Sequence, residues 1–170
     1  MPCLIASGLP SRLNYRAPCS AARCRLPTHR HATSSGVSSV SLLLPLIAPH
    51  SLLGCGRIAS DFANALKSAN GASLAACGAR SGASAERFAD VHGVATSHGS
   101  YEALLNNPEV EVVYVSTIHH LHIEHAMQCL QAGKHVLIEK PIALTLDDAT
   151  ALVREANKRD LFLMEGMWTR

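Results

Sequence analysis

Aromatic residues make up only 4% of this 170-residue chain. Its core must therefore be built from Ala, Val, Leu and Ile, small and branched side chains that let helices lie close on a sheet. Charge is thin as well: 16% of residues are charged and the formal net charge is +2. That balance gives no electrostatic footprint for nucleic acid or for an anionic membrane. The cysteines are Cys3, Cys19, Cys24, Cys55, Cys77 and Cys129, with no C-x-x-C pair among them. A disulfide framework or a zinc site is thus not indicated, and reduced, buried thiols are the expectation. No apolar run is long enough to span a bilayer, and the longest candidate, residues 40–53, is broken by Pro45 and Pro49. There is no internal repeat.

Acidic residues are missing altogether from the first sixty positions, Asp61 being the first in the chain. Over residues 1–41, Arg12, Arg16, Arg23, Arg25 and Arg30 lie among many Ser, Ala and Pro. That is the composition of a mitochondrial or plastid transit peptide. A disordered tail on a cytoplasmic protein, or a start assigned too far upstream, are the other readings. No compact apolar segment follows Met1, which argues against a secretory signal. Residues 1–46 are therefore read as a leader and residues 47–170 as one domain.

Within that domain, strand-like and helix-like segments alternate. Ser51 to Leu53 end a short apolar stretch that runs into a glycine turn. A helix is expected over Arg57 to Ser68, with Ile58, Phe62, Ala65 and Leu66 on one face. Further helices are expected at Ala83–His92, Tyr101–Asn106, His122–Ala132 (closed by Gly133) and Leu146–Lys158 (capped by Thr145). Strands are expected at Ser73–Ala79, Val94–Ser97, Glu111–Ser116, Lys134–Glu139 and from Leu161 to Met164. Alternation with short connections calls for an α/β fold, a doubly wound parallel sheet with helices on both faces. One element resists. A central first strand is buried on both faces, yet its upstream half reads Ile47-Ala48-Pro49-His50, and a proline cannot donate to the ladder. Either the strand is short or its proper sequence has been replaced.

Gly54-Cys55-Gly56-Arg57-Ile58-Ala59 is a G-x-G-x-x-A turn between a strand end and a helix start. Gly54 permits the tight turn, Gly56 lets backbone approach a pyrophosphate, and Ala59 lets the helix sit close to the strand. The amides that open the helix then face the phosphates. In folds that select NAD, an acid at the end of the second strand binds the ribose hydroxyls. Here that strand ends Cys77-Gly78-Ala79-Arg80-Ser81 with no acid. Arg80 and the Ser81 hydroxyl suit a 2′-phosphate instead, which favours NADP.

His119, His120, His122 and His125 cluster after the strand that ends near Ser116. No carboxylate and cysteine set completes a metal site, so none is expected. The loop stands at the carboxyl end of a parallel strand, where Ser116, Thr117 and His119 would line a ligand crevice and His122 would stand beside them. Glu139-Lys140-Pro141 ends the next strand at the same edge. A lysine there can polarise a carbonyl or lower the pKa of a carbinol, and Pro141 fixes the turn that aims it.

Taken together, these residues resemble the N-terminal domain of the Gfo/Idh/MocA oxidoreductase family, from about Leu52 to Arg170. The resemblance rests on G-C-G-R-I-A at 54–59, A-R at 79–80, V-E-V-V-Y-V-S-T-I-H-H-L-H at 110–122, A-G-K-H-V-L-I-E-K-P at 132–141 and F-L-M-E-G-M-W-T-R at 162–170. The S-D-F at 60–62 and the M-W-T-R ending are similar to the branch holding dimeric dihydrodiol dehydrogenases and NADP-dependent D-xylose dehydrogenases. What the resemblance implies is a Rossmann domain that serves NADP-linked hydride transfer to or from a carbohydrate or cyclic diol. By match to the motif, Lys140 would be the catalytic lysine. Cofactor contacts would come from Gly54, Cys55, Gly56, Arg57, Ile58, Arg80, Ser81, Ser116, Thr117, His119, His122, Glu139 and Lys140, with Trp168 and Arg170 near the nicotinamide end. Family members carry a second, α+β domain with dimer contacts and the acid–base partner of the lysine. The chain stops where that domain would begin, so as written it is expected to bind cofactor without turnover. A non-catalytic NADP(H)-binding regulator and an unstable truncated product remain open beside the enzyme reading.

Overall fold

The computed structural model describes residues 49–167. The leader reading and the expectations for Trp168 and Arg170 lie outside the described residues. Elements follow in the order β1 (His50–Leu53), α1 (Arg57–Ser68), β2 (Leu74–Gly78), α2 (Gly82–His92), β3 (Thr96–His98) and α3 (Tyr101–Leu105). After them come β4 (Val112–Val115), a 3-10 turn at His119–Leu121, α4 (His122–Gln131), β5 (His135–Glu139), α5 (Leu146–Arg159) and β6 (Leu163–Gly166). The six strands form one sheet in the order β3-β2-β1-β4-β5-β6, and every pairing is parallel. That is the doubly wound order, whose direction of winding reverses between β1 and β4.

Strand residues alternate between the two faces. Leu53, Ala76, Val113, Val115, Val136 and Ile138 pack with Leu104 of α3, Leu130 of α4 and Leu152 of α5. Leu52, Cys77 and Tyr114 face the other way, onto Ala59 and Ala63 of α1 and Phe88 of α2. Helices thus cover both faces, as continuous parallel pairing demands. The inward face of α1 is Ala59, Ala63 and Leu66, and Ala65 is exposed, which corrects the expected stripe. The two fully buried alanines bring the helix close to the sheet. Phe62, half-buried, stacks on the Tyr114 ring with centroids 3.9 Å apart.

The difficulty of Pro49 resolves as a short strand. β1 begins one residue later, and the His50 amide donates to the Ser73 carbonyl at 2.9 Å. Its four residues pair on both sides, with a register irregularity against β2 between His50 and Ser51. Two strands, β3 and β6, start two residues later than expected, for a shared reason. Val94 N–H bonds back to Ala89 and Leu161 N–H to Ala156, so each apolar residue closes the preceding helix instead of opening a strand. Thr145 caps α5 as expected, its hydroxyl accepting the Asp148 amide at 3.2 Å.

Leu152 is fully buried where α5 meets the sheet. Leu152→Ala is expected to lower stability by about 2–5 kcal/mol through lost burial and a residual cavity, read by urea unfolding. A change under about 0.5 kcal/mol, the size of an ordinary surface substitution, would show that α5 does not contribute to the core.

Candidate functional site at the carboxyl edge of the sheet

Because every strand runs the same way, the ends of β1, β2, β4 and β5 open onto one edge. The turn after β1 is held there by strict local geometry. Gly54 has φ +107°, and a Cβ on it would meet Ser116 Oγ at 3.1 Å and Thr117 Cγ2 at 3.2 Å. A side chain would be strained by the backbone angle and crowded by β4 at once. The Ser116 hydroxyl contacts the carbonyls of Leu53 at 3.2 Å and Gly54 at 3.1 Å, and its amide donates to Leu53 at 3.0 Å. On the β2 side the Gly54 amide donates to Gly78 at 2.9 Å, and the Cys55 thiol reaches the same carbonyl at 3.6 Å.

Gly56, the N-cap of α1, differs from Gly54: nothing in the protein lies within 4 Å of where its Cβ would be. No side chain caps α1, and its first turn holds no acid. The amides at this helix start and its positive dipole end are therefore left for an anion. This open cradle fits a pyrophosphate.

Arg80 and Ser81 stand exposed where β2 ends. Among the described residues no carboxylate pairs with Arg80. Ser81 is the N-cap of α2, and its hydroxyl bonds Ser84 Oγ at 3.0 Å. Tyr101, at the start of α3, lies beside them. Burial raises the pKa of its phenol, while the Arg80 guanidinium opposes the rise and Cys55 adds to it. Its ring meets His125 edge-on with centroids 4.9 Å apart, and His125 Nδ1 lies 2.9 Å from Thr117 Oγ1. Burial lowers the pKa of His125. Tyr101 and His125 thus complete a wall from Arg80 to Thr117. Neither belongs to a motif; the available signal for Tyr101 was a rare aromatic opening a helix at the carboxyl edge.

Three residues expected to touch a cofactor are turned inward. Ser116, His122 and Glu139 are 6%, 1% and 8% exposed. Ser116 holds the glycine turn, as described. The His122 ring lies between two carbonyls, with Nδ1 2.7 Å from the Pro141 oxygen and Nε2 3.0 Å from the Thr117 oxygen, and its N–H donates to one of them. It staples the loop after β4 to the turn after β5. Glu139 Oε1 accepts the Tyr114 hydroxyl at 2.5 Å and Oε2 accepts the Lys140 amide at 3.2 Å. Burial, then the bond to Glu139, holds the Tyr114 phenol well above its usual range, so it stays a donor. Lys140 itself is exposed at the edge, on a backbone fixed from below by Glu139 and from the side by His122. Thr117 is half-buried, and His119 and His120 are exposed, their rings edge-on at 5.7 Å. Among the described residues no three His, Cys, Asp or Glu side chains converge as a metal set.

Strand order, reversal point, glycine turn and uncapped helix together define a dinucleotide-binding domain of the Rossmann type. The chain belongs to the Gfo/Idh/MocA family, described as an oxidoreductase family with an NAD-binding Rossmann fold, whose sequence model residues 51–167 match. It is 40% identical over 121 residues to the trans-1,2-dihydrobenzene-1,2-diol dehydrogenase of Danio rerio, covering 70% of this chain and 36% of the relative. The Homo sapiens dehydrogenase of the same name matches at 40% identity with the same coverage. Among solved structures, KijD10, a 3-ketoreductase from Actinomadura kijaniata in complex with NADP, superposes with TM-score 0.66 at 35% identity, covering 69% of this chain and 37% of that one. Biliverdin reductase from Synechocystis sp. PCC 6803, in complex with biliverdin and NADP+, does so with TM-score 0.62 at 33% identity, with the same coverage. The chain thus spans little more than a third of the length of the dehydrogenases it matches.

Replacing the staple tests its weight. His122→Leu keeps the apolar bulk but leaves the Thr117 and Pro141 carbonyls without their partner, and it is expected to cost about 1–3 kcal/mol in urea unfolding. A neutral result would show that water or another group takes over both bonds.

Proposed function

We propose that the chain is the cofactor domain of an NADP-dependent dehydrogenase that moves hydride between NADP(H) and a sugar or cyclic diol. The observation that carries the cofactor choice is the end of β2, where an exposed Arg80 without an acidic partner stands in place of the carboxylate that selects NAD. A carboxylate there would repel a 2′-phosphate, whereas a guanidinium can grip it with two parallel hydrogen bonds. Ser81 stands next to it with a hydroxyl to add.

The amides from Cys55 to Ile58 would hold the pyrophosphate, with the Cys55 and Arg57 side chains flanking it, and Thr117 and His119 would line the crevice on the β4 side. When bound, the nicotinamide supplies or takes up the hydride. Lys140 would sit beside it and hold a proton at the substrate oxygen, favouring a carbonyl or carbinol as the reacting group. Glu139, Tyr114 and His122 position that lysine through its backbone. The cyclic diol class is supported by the names of the 40%-identical relatives. An exposed lysine at the edge favours an enzyme over a pure NADPH sensor, because binding alone does not need an ammonium at the reacting end.

Titration of the purified chain with NADPH and NADH, followed by nicotinamide fluorescence, tests this. NADPH should bind, NADH should bind far more weakly, and Arg80→Ala should weaken NADPH by roughly tenfold to a hundredfold, the worth of charge-assisted hydrogen bonds. No steady turnover of trans-dihydrodiol or D-xylose is expected from the purified 170-residue chain, which spans little more than a third of the length of the dehydrogenases it matches. Equal affinity for the two cofactors, untouched by Arg80→Ala, would refute the NADP assignment. Sustained turnover would refute the confinement of this chain to cofactor binding.

A further inference from the structure

The corner between β2 and α2 carries a second arginine besides Arg80. Ser81 is the N-cap of α2, yet its hydroxyl makes no capping bond, and the first turn of the helix holds no acid. That hydroxyl bonds Ser84 Oγ at 3.0 Å instead, and Arg87 Nη2 donates to the same Ser84 Oγ at 3.2 Å. The Arg87 side chain thus runs back along the helix to within two hydrogen bonds of Ser81. One hydroxyl proton serves the bond between the two serines. The other finds no acceptor among the described residues, whichever serine holds it, and is left to donate outward. Arg87 has no carboxylate partner among the described residues either. The nearest acids along the helix, Glu86 and Asp90, fall on its other side at about 3.6 residues per turn, with Glu86 Oε1 beside Gly82.

The surroundings of Arg87 are held in place. It walls a shallow depression between α1 and α2 together with Cys55 of the glycine turn, Ser60, Ser84 and the buried Phe88 and His92. Phe88 and His92 stack with centroids 4.4 Å apart, and His92 Nε2 lies 3.1 Å from Ser60 Oγ, so the floor is fixed to both helices. No other Arg or Lys, and no Asp or Glu, lines this depression. The corner above it is fixed by backbone packing: a Cβ on Gly99 would meet the Gly82 nitrogen at 3.1 Å and its Cα at 3.2 Å. A cation, a spare hydroxyl proton and the start of α2 therefore stand together between the glycine turn and Arg80.

We propose that Arg87 is a second specificity-determining residue, closing with Arg80 on the 2′-phosphate of NADP, with Ser84 as its anchor. The proposal rests on the reading of Arg80 as the group that selects NADP. A phosphate monoester carries close to two negative charges at neutral pH, and one guanidinium balances only one of them. Arg87 supplies the second from the α2 side, and its guanidinium keeps N–H groups to give after the bond to Ser84. The amides that open α2 add partial positive charge at the same corner. NADH presents a neutral hydroxyl there, which gains little from a second cation.

The test uses the full chain. The parent, Arg80→Ala, Arg87→Ala and Arg154→Ala are titrated with NADPH and NADH, with urea midpoints to confirm that each variant folds. Arg154 is exposed on α5, which packs on the opposite face of the sheet, and controls for a general loss of positive charge. Arg87→Ala should weaken NADPH by about fivefold to tenfold and leave NADH within about twofold, while Arg154→Ala changes neither. Arg87→Lys should recover part of the loss, as a point charge without the planar fork. An Arg87→Ala variant that lowers neither cofactor or both alike, or whose effect Arg154→Ala matches, would overturn the proposal. If Arg80→Ala still weakened NADPH alone, the NADP reading would stand without it. A parent chain with no preference for NADPH would refute that reading, and the role of Arg87 with it.

Discussion

The contact between the turn after β1 and the end of β4 is the constraint on which the site depends. A parallel sheet that winds outward in both directions leaves a crevice at its reversal, and here that crevice lies between β1 and β4. To make use of it, the chain leaving β1 must turn within one residue and run along the neighbouring strand end. Gly54 does so at φ +107° with no room for a Cβ. Ser116 completes the arrangement by bonding both carbonyls of the turn. With the turn fixed so, α1 must begin at Gly56 and aim its uncapped amides at the space above. Buried Ala59 and Ala63 keep it pressed to the sheet.

A second framework serves the far side of the crevice. Lys140 is placed by groups that never reach the surface. Tyr114 donates upward from the middle of the sheet to Glu139, which in turn accepts the lysine's own amide. Phe62 covers the tyrosine ring, so even α1 contributes to holding it. His122 closes the frame from the side by joining Thr117 to Pro141. The Tyr114, Glu139 and His122 side chains are buried, and burial makes their bonds expensive to lose. The E-K-P pattern therefore marks a supporting structure as much as the lysine proposed to react.

Much of the fold was legible in the sequence because its local signals agree with its packing. The extent of α1, the strand centred on Val113 and Val115, and the Thr145 cap all follow from periodicity and capping chemistry. What went astray did so through tertiary use of residues that look interchangeable in one dimension. Val94 and Leu161 look like strand openers but close helices. Ala65 and Ala63 are the same residue type, and only the tilt of α1 on the sheet decides which is buried. In the site, the turn was readable because its backbone conformation leaves a direct mark in the glycines. The inward roles of Ser116, His122 and Glu139 were not, since a motif gives residue identity without direction. The Tyr101–His125 and Cys55–Gly78 contacts join segments distant along the chain, which no local pattern encodes.

The two ends of the crevice are built from different material, and this bears on what can vary. Around Lys140, the supports are strands and buried hydrogen bonds linked across β4 and β5. A substitution there leaves a buried polar group unpaired and weakens the fold along with the chemistry. Around Arg80, the supports are exposed residues at strand and helix ends: Arg80 and Ser81 touch solvent, and Ser81 is anchored only through Ser84. Exchanging Arg80 for an acid would disturb no core contact, yet it would reverse the charge that the proposed 2′-phosphate would meet. On the proposed reading, cofactor preference would sit where the fold can change it cheaply, while the geometry at Lys140 sits where it cannot.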